Sequence, residues 1–461
     1  MKDVIRLLRA EPRARWFFLA LTQSALGTGA AYVALLLVAY ERFASPWAIS
    51  LVLIADLLPA MLLGPVFGAV ADRWSRRWCA VAADVVRAFA FLGIAFADSF
   101  TLTIALAAVA GAGTALFTPS TLAALPSLVS EDRRPAAMSL YGAIADLGFT
   151  AGPGLAAGVL LFAGPEEILF VNGVSFAACA MILALLPFGA VAATDRTGSG
   201  FVVRSLLRDA REGVALVARL AGVRVVIAGS AAALFFGGAF NVGELLFATE
   251  ELDAGASGYS ILVTLFGFGF VCGSLAGSRG GSPQLLRRRF LQGIILMGLG
   301  FLLSGLSPNL VVALFTFTVA GFGNGLLLVH ERIIVQETVP DRLLGRAYGV
   351  KDALSSWAFG TAFLAAGGIL TVIDSRGLIT ASGVGGLMVA AACGLALQRE
   401  GIPRRPTAKR GRTFLKARLV DPESEPLARR AGTFRCGPVG EEGADAVGTG
   451  DGEGAPLDHT H

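Results

Sequence analysis

Twelve stretches of 17 to 26 mostly apolar residues constrain this chain more than any other feature; they lie near 16-40, 47-70, 78-97, 101-126, 138-163, 167-190, 224-249, 257-278, 290-306, 309-330, 347-372 and 377-397. A helix rising 1.5 Å per residue crosses about 30 Å of hydrocarbon in roughly 20 residues, so each stretch is long enough to span a bilayer. The runs are continuous and do not alternate in polarity, which argues against a transmembrane barrel. Composition agrees: 16% of residues are charged, against about 25% in soluble domains, and mean hydropathy is +0.68. A soluble enzyme, a disordered scaffold and a nucleic-acid-binding protein are all disfavoured. The expected fold class is all-α integral membrane with 12 transmembrane helices, and the lipid bilayer is its first partner.

The basic residues fix an expected orientation, because Lys and Arg stay on the cytoplasmic side of short loops. With twelve spans, one set of ends and loops (1-15, 71-77, 127-137, 191-224, 279-289, 340-346 and 398-461) holds 33 of the 38 basic residues. The opposite set holds only Arg42 and Arg376. Both termini are therefore expected in the cytoplasm, with the protein in the plasma or inner membrane. Trp16, Tyr40, Trp47, Trp78 and Tyr259 fall at span ends, where amphipathic rings favour the headgroup zone.

The longest internal connection divides the chain. The expected domains are an N-terminal six-helix bundle (1-190), a cytoplasmic linker with an amphipathic helix (191-223), a C-terminal six-helix bundle (224-397) and a disordered cytoplasmic tail (398-461). Cys79, Cys179, Cys272 and Cys393 lie in apolar segments without metal or disulfide spacing, and His459 and His461 make a poor metal site. No metal and no bound cofactor is expected. No phosphate-binding GxxxxGK[ST] loop is present, so ATP hydrolysis by this chain is unsupported.

The most specific local signal follows the second span: Gly68, Asp72 and Arg73, then Ser75, Arg76 and Arg77. Topology alone explains the arginines but not an acid four residues after a glycine. The pattern resembles the signature loop of the major facilitator superfamily, with Ser75 in place of a turn glycine. The resemblance implies that Gly68, Asp72, Arg73, Arg76 and Arg77 form a gating loop that holds the two halves together on the cytoplasmic side. In the fifth span, Gly148, Gly152 and Pro153 look like a loosened Gly-Pro helix-packing element of exporters in that superfamily; a packing face without bearing on direction is the other reading. The halves echo each other as well, with Asp132-Arg133 before the fifth span and Asp341-Arg342 before the eleventh. Such an echo suits two bundles built from one repeat.

Polar groups in lipid are expensive and usually face a cavity or a partner. Asp56, Asp146 and Glu244, the last beside Asn241, are candidates for proton or substrate handling. For Asp56 a structural role beside Pro59 stays open. Asp84 with Arg87, Glu331 with Arg332, and Lys351 with Asp352 are close enough in sequence to be charge-paired structural or gate elements. His330 beside a helix end suits packing or capping. The fourth span contains no basic residue, where proton-coupled exporters of the superfamily commonly carry an arginine; Arg87 of the third span could stand in.

The resulting expectation is a non-enzymatic secondary transporter, proton-coupled and exporting hydrophobic or amphipathic small molecules, similar to the drug, macrolide and siderophore exporter branch. A monomer is expected. A facilitated-diffusion carrier or an importer of the same fold is the alternative. A polytopic membrane enzyme would need clustered catalytic groups, and a non-transporting scaffold would leave the mid-span acids without a task.

Overall fold

The computed structural model describes residues 2–186, 208, 211–277, 281–340 and 343–400. Each apolar run is a helix. An amphipathic helix α1 (Lys2–Ala10) precedes six long ones: α2 (Pro12–Phe43), α3 (Pro46–Arg73), α4 (Arg76–Ala95), α5 (Phe100–Ala124), α6 (Arg134–Val159) and α7 (Pro165–Leu185). Six more follow: α8 (Ala221–Leu246), α9 (Gly255–Gly277), α10 (Pro283–Gly305), α11 (Leu310–Thr338), α12 (Leu344–Ile369) and α13 (Ser375–Glu400). No strand occurs among the described residues.

Turn chemistry sets the boundaries. Ser45 caps α3 by accepting from the Trp47 amide at 3.3 Å, with Pro46 in the first turn. Asn309 caps α11 by accepting from the Val312 amide at 3.1 Å. Nine of the twelve long helices are apolar enough to cross a membrane by length and composition, among the described residues. The other three, α6, α10 and α12, are equally long but carry charge toward the arginine-rich end: Arg134 and Asp146, Arg287 to Arg289, and Arg346 with Lys351 and Asp352.

The two sets of six pack by one scheme. In the first, α2 packs on α6 and α7, α4 on α5 and α7, and α3 on α5. In the second, α8 packs on α12 and α13, α10 on α11 and α13, and α9 on α11. Counting spans within each half, these are the same five pairs, as an internal repeat about an axis along the membrane normal requires. Two seams, α6 on α9 and α3 on α12, join the halves and exchange under the same symmetry.

The domain boundaries shift slightly. The seventh span begins at Ala221 rather than 224, and residues 211–219 before it are helical. Most of the linker (187–207 and 209–210), Asp341-Arg342 and everything from 401 onward lie outside the described residues. Tyr259 departs from its expected place at the headgroup zone: it is fully buried, because its ring enters the second bundle and its hydroxyl donates to Glu244.

Candidate functional site

A central cavity lies between the halves, in two compartments. The first, about 330 Å³, is walled by the first bundle: Ser24, Thr28 and Tyr32 of α2, Arg87 of α4, Thr118 of α5 and Tyr141 of α6. The second, about 120 Å³, is walled mainly by the second bundle: Asn241 and Glu244 of α8, Phe301 of α10, Asn324 of α11 and Phe359 of α12. Tyr32, Phe149 and Val263 line both.

Most of the lining is apolar and aromatic, so its few polar groups carry the chemistry. Glu244 is 4% exposed and accepts from the Tyr259 hydroxyl at 3.4 Å. It stands near the end of α8, which continues as a π-turn over Phe247–Glu251, so it is closer to the arginine-poor face than to mid-depth. Asp56 is exposed on α3 and has no hydrogen bond or ion pair among the described residues. Gly111 lets α5 approach the Asp56 backbone so closely that a side chain there would overlap it. The Tyr32 hydroxyl lies in the electrostatic field of both Asp56 and Glu244, one acid from each half. Asp146, three turns into α6 and exposed, lies in the field of Arg332 of α11.

Arg87 is buried and ion-paired with Asp84 on the next turn. Its guanidinium is sandwiched between the rings of Phe117 and Phe176, 4.1 and 4.2 Å from their centroids. Stacking and pairing together offset the desolvation of the charge. The expected pairing of Glu331 with Arg332 does not occur: Glu331 is 1% exposed, Arg332 is exposed, and successive helical side chains point about 100° apart. Among charged groups, Lys351 of α12 acts on Glu331 more strongly than Arg332 does. Lys351 itself pairs with Asp352 at 3.0 Å.

The halves meet toward the arginine-poor face. There Tyr40 of α2 donates to Glu250 at the end of the seventh span, and Trp47 and Ser50 of α3 press on Gly367 and Gly368 of α12. Deeper, the Thr150 hydroxyl donates to the Gly267 carbonyl at 3.3 Å and Phe149 meets Phe270 edge-on at 6.0 Å. Toward the arginine-rich face, an added Cβ at Gly64, Gly68, Gly142, Gly345 or Gly349 would meet nothing within 4 Å.

The segment expected to form a gating loop lies at the arginine-rich end. Only Trp74 and Ser75 separate α3 from α4; Arg76 donates to the Ala123 carbonyl at 2.9 Å, and Arg77 lies over the Trp78 ring at 5.1 Å. The side chains of Asp72 and Arg73 lie outside the described residues. Gly148 and Gly152 bring α6 against Ala25 and Gly29 of α2, and buried Pro153 lines the first compartment. His330 is fully buried with Nδ1 2.8 Å from the Leu326 carbonyl.

Tyr32 and Asn324 had no place in the sequence reading. The signal for Tyr32 was a tyrosine at mid-span, away from the interfacial belt where such rings collect; for Asn324, a lone amide between two glycines deep in α11. The Asn324 carbonyl oxygen has no hydrogen-bond partner among the described residues, and the residue lines the second compartment. Among the described residues no group of three or more His, Cys, Asp or Glu could hold a metal.

Comparison with known proteins gives a consistent result. The model of the Major Facilitator Superfamily matches residues 17–350. The uncharacterized MFS-type transporter YfiS of Bacillus subtilis (strain 168) is 25% identical over 360 residues, 76% of this chain and 84% of that protein. The multidrug efflux pump Tap of Mycolicibacterium fortuitum is 24% identical over 375 residues, 78% of this chain and 89% of Tap. Among solved structures, a bacterial homologue of the human lysosomal transporter Spinster, inward-facing and occupied, superimposes with a TM-score of 0.66 at 14% identity, covering 86% of this chain and 98% of that one.

Proposed function

The chain belongs to the major facilitator superfamily, a multi-pass membrane transporter and not an enzyme, and on that premise we propose that it exports amphipathic small molecules in exchange for protons, by alternating access. The observation that carries this reading is the central cavity, with Asn241 and Glu244 on one wall and Tyr32, in the field of both Glu244 and Asp56, shared by its two compartments. The similarity to the efflux pump Tap supports the outward direction.

With the arginine-rich face in the cytoplasm of a cell membrane, the side that basic loops favour, the cavity takes up solute from inside while contacts such as Tyr40 with Glu250 close the opposite side. An amphipathic solute lays its apolar body on Phe149, Phe301 and Phe359 and directs polar atoms to Asn241, Asn324 and Tyr32. Rocking of the bundles breaks the contacts of Tyr40 and Trp47 and opens the opposite side. Protons arriving there reach Glu244 first, then Asp56, and Asp146 hands them toward the cytoplasmic end. An acid that alternates between a wet and a dry cavity can bind and release a proton as the cavity changes face. The proton gradient is the energy source and no bound cofactor takes part; the chain acts as a monomer.

Reconstitution into liposomes with an imposed pH gradient tests this. Gradient-driven movement of an amphipathic dye that stops when the gradient is collapsed supports antiport. Full-rate movement without a gradient replaces it with facilitated diffusion, and no movement of any amphipathic probe overturns the reading.

A further inference from the structure

On the second bundle, α9 and α10 each pack on α11 but scarcely on one another. Between them lies a groove of about 430 Å³, floored by Phe322 and Leu326 of α11 and bordered by Ala276 of α9. Its α10 wall runs from Arg289 and Gln292 to Ile295 and Leu296. Seven residues at 1.5 Å separate Arg289 from Leu296, so the groove descends about 10 Å from a basic mouth to an apolar floor.

The groove faces lipid. The exposed stripe of α10 comprises Leu285, Ile295, Leu299 and Leu303, and Gln292, also exposed, belongs to it. The opposite faces of α10 are taken by α11 and α13. A glutamine side chain on a hydrocarbon-facing stripe is costly unless a polar group reaches it. Of the three consecutive arginines, Arg287 is turned toward α13, donating to the Gly394 carbonyl at 3.5 Å. Arg289 borders the groove and Arg288 is exposed beside it.

We propose that this groove binds one anionic phospholipid of the arginine-side leaflet. Its phosphate sits on Arg289 with Arg288 adding charge, its ester region meets Gln292, and an acyl chain lies along Ile295, Phe322 and Leu326. Charge complementarity selects the anionic headgroup, since basic pockets between helices on the cytoplasmic side attract such lipids. The apolar depth below the arginine selects a lipid over a soluble anion, for which it would serve no purpose.

Full-length protein is reconstituted in vesicles of phosphatidylethanolamine and phosphatidylglycerol, extracted, and examined by native mass spectrometry for retained phosphatidylglycerol. The wild type is expected to keep one molecule, Arg289→Gln to lower retention about fivefold, and Arg289→Lys to preserve most of it. Ala276→Phe leaves every arginine in place but fills the groove, and is expected to lower retention as much as Arg289→Gln does. Arg219→Gln removes charge elsewhere on the same face and should change nothing. Full retention in Arg289→Gln or in Ala276→Phe overturns the proposal, as does equal loss in Arg219→Gln. Displacement of the lipid by inorganic phosphate alone would make the groove an anion site and also overturn it.

Discussion

Arg42 holds Glu166 at 3.2 Å at the arginine-poor end of the first bundle, and in the second bundle Glu251 and Arg376 hold each other at 3.2 Å in the corresponding loops with the charges exchanged. In both cases the guanidinium also caps the third span of its half. Arg42 donates to the carbonyls of Ile94 at 3.0 Å, Ala95 at 2.9 Å and Ala97 at 2.5 Å; Arg376 donates to those of Gly305 at 3.0 Å and Ser307 at 2.8 Å. These are the two basic residues that break the charge asymmetry, and each has the orphan carbonyls of a helix end to satisfy.

If capping outweighs the ion pair, Arg42→Ala lowers stability by about 2 kcal/mol, whereas Glu166→Gln, at an exposed position, costs less than about 0.5 kcal/mol. The exchange variant Arg42→Glu with Glu166→Arg restores the pair but not the cap, and is expected to unfold like Arg42→Ala. Thermal unfolding in detergent decides; recovery in the exchange variant would assign the stability to the pair.

Arg87→Gln leaves the Asp84 carboxylate buried without its cation and is expected to cost about 3 to 5 kcal/mol. Adding Asp84→Asn should recover most of the loss. A double variant as unstable as the single one would trace the effect to the lost Phe117 and Phe176 contacts instead.

A Cβ at Gly152 would come within 2.5 Å of the Gly29 Cα, whereas one at Gly158 would meet nothing within 4 Å. Gly152→Ala therefore separates α6 from α2 and costs about 1 to 3 kcal/mol, while Gly158→Ala changes stability by less than about 0.5 kcal/mol. Yield of folded protein and its melting temperature report both.

Tyr40→Phe removes the hydroxyl that reaches Glu250 from the other half. Loss of one hydrogen bond to a charged group, worth about 1.5 kcal/mol, shifts the balance roughly tenfold toward opening on the arginine-poor side. Spin labels at Glu41 and Asp253 should show a longer distance in the variant; an unchanged distribution would mean that the Trp47 contacts alone hold that side shut.

Glu244→Gln and Asp56→Asn are expected to lower gradient-driven transport at least tenfold while substrate exchange at equal pH on both sides continues. Equal loss of both activities would place the two acids in solute binding rather than in coupling.

The span count and most boundaries were legible because the hydrocarbon thickness leaves the chain few ways to satisfy its backbone. Even α6, α10 and α12, whose charges dilute their hydropathy, could be placed from the punctuation of Arg, Gly and Pro. What the sequence could not display was which side chains meet across 100 or more residues. Neighbours in sequence misled at Glu331 and Arg332, since adjacent helix residues face different ways. Tyr259 read as an interfacial ring and is a buried hydroxyl donor to Glu244. The Tyr32 position between two acids depends on both bundles being assembled, so no window of sequence contains it.

The seams α6 on α9 and α3 on α12 are images of one another under the internal repeat. Under the alternating access proposed above, they serve as the fulcrum of a lever whose arms are the two bundles. Motion about such a fulcrum changes little in the middle of the seams and much at their ends, where Trp47 meets Gly367 and Gly368. Which face stands open at rest is then decided by the end contacts alone, and a single substitution at either end can retune the resting state without altering the cavity.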